Sequence, residues 1–343
     1  MSFKKLEKED FVVSSNTITS TVWSNNAPSL NTFYTSSTQK NGSSGLYYLN
    51  VYQTASADSG AEVQFSIAYG DSTGGGNLDF DSGVAGVSPS TSIYGQYRTL
   101  VLEDENAQFA FGNYTGSYFY AISVERARYK EKLLPGSFNL VLSSSNALAG
   151  GGYLYLTDNS NDVAVPTYYG TQRAYQIISG SDGTAYTGSG HTPSSGSYGL
   201  FLPDISTIIL NGAALDDATA LGGGINLTSS RGSENGDNPS KLFRHISNAS
   251  GSIFELNSQE TITSDYVFIR TRNSEFNYSE NPSFISGSTG EVIYDYFIDN
   301  PTVFPTTVGL YNDANELVAV AKLSKPLEKD FTKESLIRVK LDF

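Results

Sequence analysis

Arg126, Arg128, Lys130 and Lys132 stand at alternate positions within the segment Ser123–Gly136, "SVERARYKEKLLPG". The chain around them carries 35 acidic against 21 basic residues, a formal net charge of −14. If the segment is extended, all four cations lie on one face; if it is helical, they spread over more than half the circumference. An active-site clamp for an anion, a nucleic-acid contact and a protein interface would each use such a strip, and a solvated turn would use none of it. Nucleic-acid binding calls for a dominant positive surface, whereas Glu103, Asp104 and Glu105 upstream are acidic. A cationic strip on an acidic chain matches an acidic patch on a neighbour, which includes another copy of the chain. Arg126, Arg128, Lys130 and Lys132 are therefore the predicted interface residues, with a solvated turn as the alternative.

Catalytic and ligand-binding patterns are sparse. The two histidines, His191 and His245, have no partner at metal-ligand spacing, and there is no HExxH pattern and no cysteine. His191 sits in a Gly/Ser-rich loop, and His245 in "KLFRHIS" reads as a strand or loop surface residue. No serine occupies a G-x-S-x-G elbow, and no glycine-rich stretch continues into the Gly-Lys-Ser/Thr of a phosphate-binding loop. "DNSND", Asp158–Asp162, spaces two carboxylates as a calcium loop would, but without that loop's glycine and distal glutamate; it reads as a turn. Asp216-Asp217, and Asp299 with Glu291, are carboxylate pairs of the kind glycosidases place about 5–10 Å apart, a separation that sequence alone does not give. Tyr168, Tyr169 and Tyr175 in "VPTYYGTQRAYQ" are a candidate sugar-stacking surface, with burial of these rings in a core or interface as the alternative. The expectation is a non-enzyme that needs no cofactor and no metal.

The elements that position these residues are mainly strands. In "AEVQFSIAYG", Val63, Phe65, Ile67 and Tyr69 share one face and Glu62, Gln64 and Ser66 the other, the pattern of a half-buried strand closed by Gly70. "SFNLVLS" places Phe138, Leu140 and Leu142 inward after the Pro135-Gly136 turn. "SYFYAISV" and "DYVFIRTRN" are further strands. "TTVGLYNDANELVAVAKLS" is a hairpin turning at Asn312–Asn315, and "SLIRVKLDF" is a closing strand with Ile337, Val339, Leu341 and Phe343 inward. One helix is predicted, starting at Ser88-Pro89 and carrying Ile93, Tyr97, Leu100 and Val101 on one stripe. Long polar loops are read at Ser36–Gly45, Gly70–Asn77, Ser143–Gly152, Ser179–Gly199 and Gly222–Ser240.

Composition agrees with that reading. Tyr (23) and Phe (19) supply much of the apolar content, and Gly, Ser, Thr and Asn are abundant, which favours short strands and many turns. The expected fold is mainly β: antiparallel sheets, sandwich-like, with long polar loops and one or two short helices. Soft boundaries divide it into residues 1–135, 136–260 and 261–343. No stretch approaches the length of a membrane span, and the N-terminal residues lack the apolar core of a signal peptide.

Three blocks, "SIYGQYRTLVLEDENAQF", "YFYAISVERARYKEKLLPGSFNLVLS" and "EFNYSENPSF…TTVGLYNDANELVAVAKLSKPLEKDFTKESLIRVKLDF", resemble virion structural proteins of large contractile-tailed phages, in character those that infect cyanobacteria. The opening "FKKLEKEDFVVSSNTITSTVWSNNAPSL" is similar to the start of such proteins, and together the blocks cover about half the chain. The resemblance implies a tail or baseplate component, assembled in the host cytoplasm and built into the virion. Its partners would be other virion proteins, further copies of itself among the candidates, and not nucleic acid. A receptor- or carbohydrate-binding module at the tail tip is the alternative.

Overall fold

A computed structural model describes residues 3–36, 48–75, 89–112, 114–143, 152–186, 197–217, 238–247, 253–279 and 281–342. His191, Ser88 and much of the five predicted loops lie outside these residues, as does Phe343. The chain forms two compact units, a central one of residues 18–260 and a terminal one of residues 1–17 with 261–343. Strands on both sides of residue 135 belong to one sheet, so the central unit is continuous across the Pro135-Gly136 turn.

The fold is mainly β, built from antiparallel sheets. The early strands are β1 (Phe11–Thr21), β2 (Ser29–Leu30), β3 (Tyr48–Tyr52), β4 (Val63–Asp71), β5 (Phe109–Phe111), β6 (Tyr114–Gly116) and β7 (Tyr118–Val124). There follow β8 (Lys132–Leu133), β9 (Asn139–Ser143), β10 (Tyr153–Asp158), β11 (Thr167–Tyr169), β12 (Gln172–Ser181), β13 (Thr184–Ala185), β14 (Gly199–Leu202), β15 (Thr207–Asn211) and β16 (Phe254–Glu255). The last four are β17 (Asn257–Thr271), β18 (Thr307–Tyr311), β19 (Leu317–Lys322) and β20 (Ser335–Asp342). Helices are short: α1 (Pro89–Leu102), α2 (Gly212–Asp216), α3 (Asn238–Ser247) and α4 (Asp295–Asp299).

The central unit is organised on one large sheet in the order β2-β16-β9-β10-β12-β14-β15-β7-β4-β3, with β11 and β13 pairing β12. Next to its β3 edge runs the β4–β7 ladder, in register from Phe65↔Val124 to Asp71↔Tyr118. One face buries Phe65, Ile67, Tyr69, Tyr120, Ile122 and Phe138. The other buries Ala68, Phe119, Ala121 and Ile209 beneath Ile93, Tyr94 and Val101 of α1. The half-buried reading of β4 is thereby corrected: Gln64, expected outward, is fully buried. Its amide donates to Ser24 Oγ (2.6 Å) and Gln53 Oε1 (3.0 Å) and accepts from Ser24 N (3.1 Å), which meets the cost of burying a polar group. Where α1 crosses, a Cβ on Gly70 would come within 2.8 Å of the Phe119 ring, so the absent side chain permits the contact. Tyr94 and Tyr97 bury their rings; the Tyr94 hydroxyl donates to Gly116 O and the Tyr97 hydroxyl shares a hydrogen bond with Ser123 Oγ, 2.9 Å in each case.

In the terminal unit, β20 pairs β17 from Ser264↔Asp342 to Thr271↔Ser335, and the β18–β19 hairpin lays Val308, Leu310 and Ala321 against Val267, Ile269 and Val339. Asn315 takes the left-handed conformation (φ 62°) in the predicted Asn312–Asn315 turn. Lys329 is buried and satisfied by oxygens alone, donating to Asn277 Oδ1 (2.7 Å), Asp330 O (2.9 Å) and Asn273 O (3.0 Å). Leu6 of the "LEKEDF" segment packs on the same small core.

Asp158 ends β10 and holds the Pro135-Gly136 turn, accepting from Gly136 N (2.9 Å) and Ser160 N (3.0 Å). Burial pushes its carboxyl above the ordinary carboxylate value, against the opposing pull of the Ser160 and Gly136 hydrogen bonds. The folded chain therefore holds this proton more tightly than the unfolded one, and Asp158's contribution falls as pH rises from about 3.8 through the raised folded value. Asp158→Ala should destabilise the central unit by about 1–3 kcal/mol. In urea unfolding followed by Trp23 fluorescence, the gap to the parent should narrow as pH rises through that window; a gap that widens contradicts the assignment.

Candidate interaction surfaces

The four predicted interface cations do not form one extended strip. Strand β7 ends at Val124, a single 3-10 turn covers Arg126–Arg128, and extended pairing resumes at Lys132 in β8. Arg126 is exposed, donates to Tyr129 O (2.8 Å) and lies over the Tyr129 ring at 4.7 Å. Arg128 turns inward: its Nη1 donates to Ser24 Oγ (2.6 Å) and Glu62 Oε2 (2.7 Å), and its side chain is only 16% exposed. Hydrogen bonds from Ser24 and then Arg128 hold the Glu62 carboxyl below its usual range. Lys130 is exposed, and Lys132 pairs with Glu131 at 3.1 Å. Arg126 and Lys130 are thus the two members whose side chains stand exposed to solvent.

The other candidates resolve into local structure. His245 lies on α3 rather than on a strand or loop, its Nδ1 2.8 Å from Ser143 O and 3.2 Å from Ser143 Oγ. The helix is set by Leu242 and Ile246, both fully buried one turn apart. Asp216 accepts from Tyr118 OH (3.0 Å) and Asp217 from Tyr114 OH (3.3 Å), each phenol occupying a carboxylate oxygen. Glu291 accepts from Thr289 Oγ1 (3.3 Å), and Asp299 is exposed at the end of α4. In Asp158–Asp162, Asn159 Oδ1 accepts from Gln176 N and Asp162 Oδ2 from Ala185 N, so these side chains serve the backbone as a turn requires. Among the described residues no group of three or more His, Cys, Asp or Glu side chains is placed to hold a metal ion. Tyr168, Tyr169 and Tyr175 do not share a surface: Tyr175 faces the core, Tyr169 donates to Ala110 O, and only Tyr168 stands out into solvent.

Exposed apolar side chains concentrate in the smaller, terminal unit. On the outer face of the β18–β19 hairpin Val318 is 68% and Val320 59% exposed, with Tyr311 and Leu317 beside them. Ile293, Tyr294, Tyr296 and Ile298, around α4, are also exposed, and the Tyr294 and Tyr296 rings lie 5.5 Å apart. From Asn273 to Ala321 the sequence has seven carboxylates and no lysine or arginine, a signal that a charge count by segment would have caught. The unit's own buried cluster is Val267, Ile269 and Val339, small for its length.

Together these features define a mainly β protein whose exposed cations and apolar side chains are candidate interaction surfaces. No protein-family model, curated protein or solved structure matches the chain. No helix among the described residues is long and apolar enough to cross a membrane.

The cation geometry separates surface from structure by mutation. Arg126→Ser and Lys130→Ser should each leave unfolding free energy within about 0.5 kcal/mol of the parent. Arg128→Ser should lower it by about 1–2 kcal/mol, because buried Ser24 and the Glu62 carboxylate lose their shared donor. Equal, negligible effects of all three in urea unfolding would contradict the inward placement of Arg128.

Proposed function

We propose that the chain is a structural subunit of a tailed-phage virion, most consistent with the tail or baseplate, acting through protein–protein assembly contacts. The observation that carries this reading is the bare outer face of the terminal unit. A sheet pair whose inner faces bury three core residues while Val318, Val320 and Leu317 stay in solvent and Tyr311 meets the Phe3 ring edge-on is an incomplete core. Contiguous apolar surface of this kind marks protein contact sites. The resemblance of the sequence blocks to virion proteins supplies the setting, and assembly in the host cytoplasm followed by incorporation in the particle follows from it. Catalysis, cofactors and metals have no part in this reading.

A carbohydrate-binding module at the tail tip is the second reading, favoured by one observation: the exposed, closely spaced Tyr294 and Tyr296 rings beside Asp295 and Asp299. The two readings separate experimentally. Val318→Lys with Val320→Lys changes only exposed positions, so the variant should fold within about 1 kcal/mol of the parent yet enter particles about tenfold less well. Parental incorporation would overturn the assembly reading. Saturable glycan-array binding that is lost in Tyr296→Ala would establish the second.

A further inference from the structure

Two segments of the central unit, Ser20–Asn26 and Ala127–Lys130, enclose an open cleft of about 280 Å³. No aspartate or glutamate lines it, although the chain is strongly acidic. Lys130 brings a solvent-exposed ammonium, and Asn25 and Asn26 bring exposed amides on consecutive left-handed residues (φ 60° and 54°). Two N–H donors of the lining residues lack an acceptor. Trp23 is 3% exposed and its indole Nε1 is unpaired, and Arg128 Nε is buried and unpaired while Nη1 is held by Ser24 and Glu62. A buried donor without an acceptor is unfavourable, and an occupant that supplies oxygens relieves it.

We propose that this cleft binds a carboxylate side chain on an acidic peptide segment of a neighbouring protein. A carboxylate offers two oxygens and accepts from several donors at once, and charge-assisted bonds to an arginine are among the stronger ones. The electrostatics select a monoanion. Glu62, 2.7 Å from Arg128, already offsets that guanidinium, so the free positive charge at the cleft is that of Lys130. Glu62 repels any anion there, but a phosphate dianion about twice as strongly as a single carboxylate. Trp23 Nε1 and Arg128 Nε are buried, so an occupant engages them through side-chain rearrangement of the kind common at interfaces. The identity of the neighbour as a virion protein rests on the assembly reading; the chemistry of the cleft does not.

Trp23 is the single tryptophan of the chain, so its indole N–H gives one assigned resonance. The test titrates the full chain with acetyl-Gly-Glu-Gly-Glu-Gly-amide, with its glutamine counterpart and with inorganic phosphate, reading that ¹⁵N–¹H resonance. The glutamate peptide should shift it saturably, and the glutamine peptide should bind at least about tenfold more weakly, the loss expected for one charge-assisted contact. Lys130→Gln, an exposed substitution that spares the fold, should raise Kd about three- to tenfold. Arg128→Lys keeps the charge but removes the Nε donor, and should weaken the peptide by a comparable factor. No saturable shift, an equal response to the glutamine peptide, or a response to phosphate without one to the glutamate peptide each overturns the proposal. Those failures leave the assembly reading intact, because that reading stands or falls on particle entry of the Val318→Lys, Val320→Lys chain.

Discussion

The β4–β7 ladder is the constraint on which the central unit depends. Seven consecutive pairs, Phe65↔Val124 through Asp71↔Tyr118, put aromatic and β-branched side chains on one face of the two strands and small residues with Phe119 on the other. Each face then needs its own cover. Phe138, Phe201 and Phe254 supply one, with Phe138 stacked on Phe201 at 5.7 Å and edge-on to Phe254 at 5.9 Å. α1 and the β5–β6 hairpin supply the other, through Tyr94, Phe109 and Phe111 around Phe119. Aromatic rings build a dense core in this way because each buries a large area and its hydroxyl, where present, finds a partner. Tyr69 and Tyr94 show the rule, donating to Asp71 and to Gly116 O.

The terminal unit obeys the opposite balance. Its strands pair in regular register, yet its apolar side chains divide between a small buried cluster and a bare exterior. Lys329 illustrates how much of its order is polar: an ammonium with 1% exposure, satisfied by three oxygens and no carboxylate, pins the segments at Asn273, Asn277 and Asp330. Hydrogen bonds of this kind fix geometry but add little net free energy beyond that of the solvated groups. On the proposed assembly reading, further stabilisation comes from apolar area covered by a neighbour, and the exposed hairpin face is where that area lies.

Much of the architecture was legible in the sequence because period-two patterns and turn residues are local signals. The Asn312–Asn315 hairpin, the Ile337/Val339/Leu341 face and the Pro89–Leu102 helix follow from them. What was not legible depends on distant partners. Gln64 looks outward in its strand and is buried because Ser24 and Gln53 satisfy it. Arg128 looks like part of a surface strip and turns inward because Glu62, 66 residues away, accepts its guanidinium. His245 sits on a helix whose only local sign is the spacing of Leu242 and Ile246, too short a pattern to separate from a strand. The candidate surface itself was half visible: its cations were in plain sight, while the cleft behind two of them forms only when Ser20–Asn26 and Ala127–Lys130 meet.

The central claim is that the terminal unit is completed by neighbours in an assembled particle, and amide hydrogen exchange tests it most directly. Exchange of β17–β20 and β18–β19 amides would be compared between the isolated chain and purified particles that contain it. The account predicts fast exchange of these amides in the isolated chain, against strong protection of β4 and β7, and at least about tenfold slowing in the particle. Equal exchange of the terminal unit in both states would contradict it.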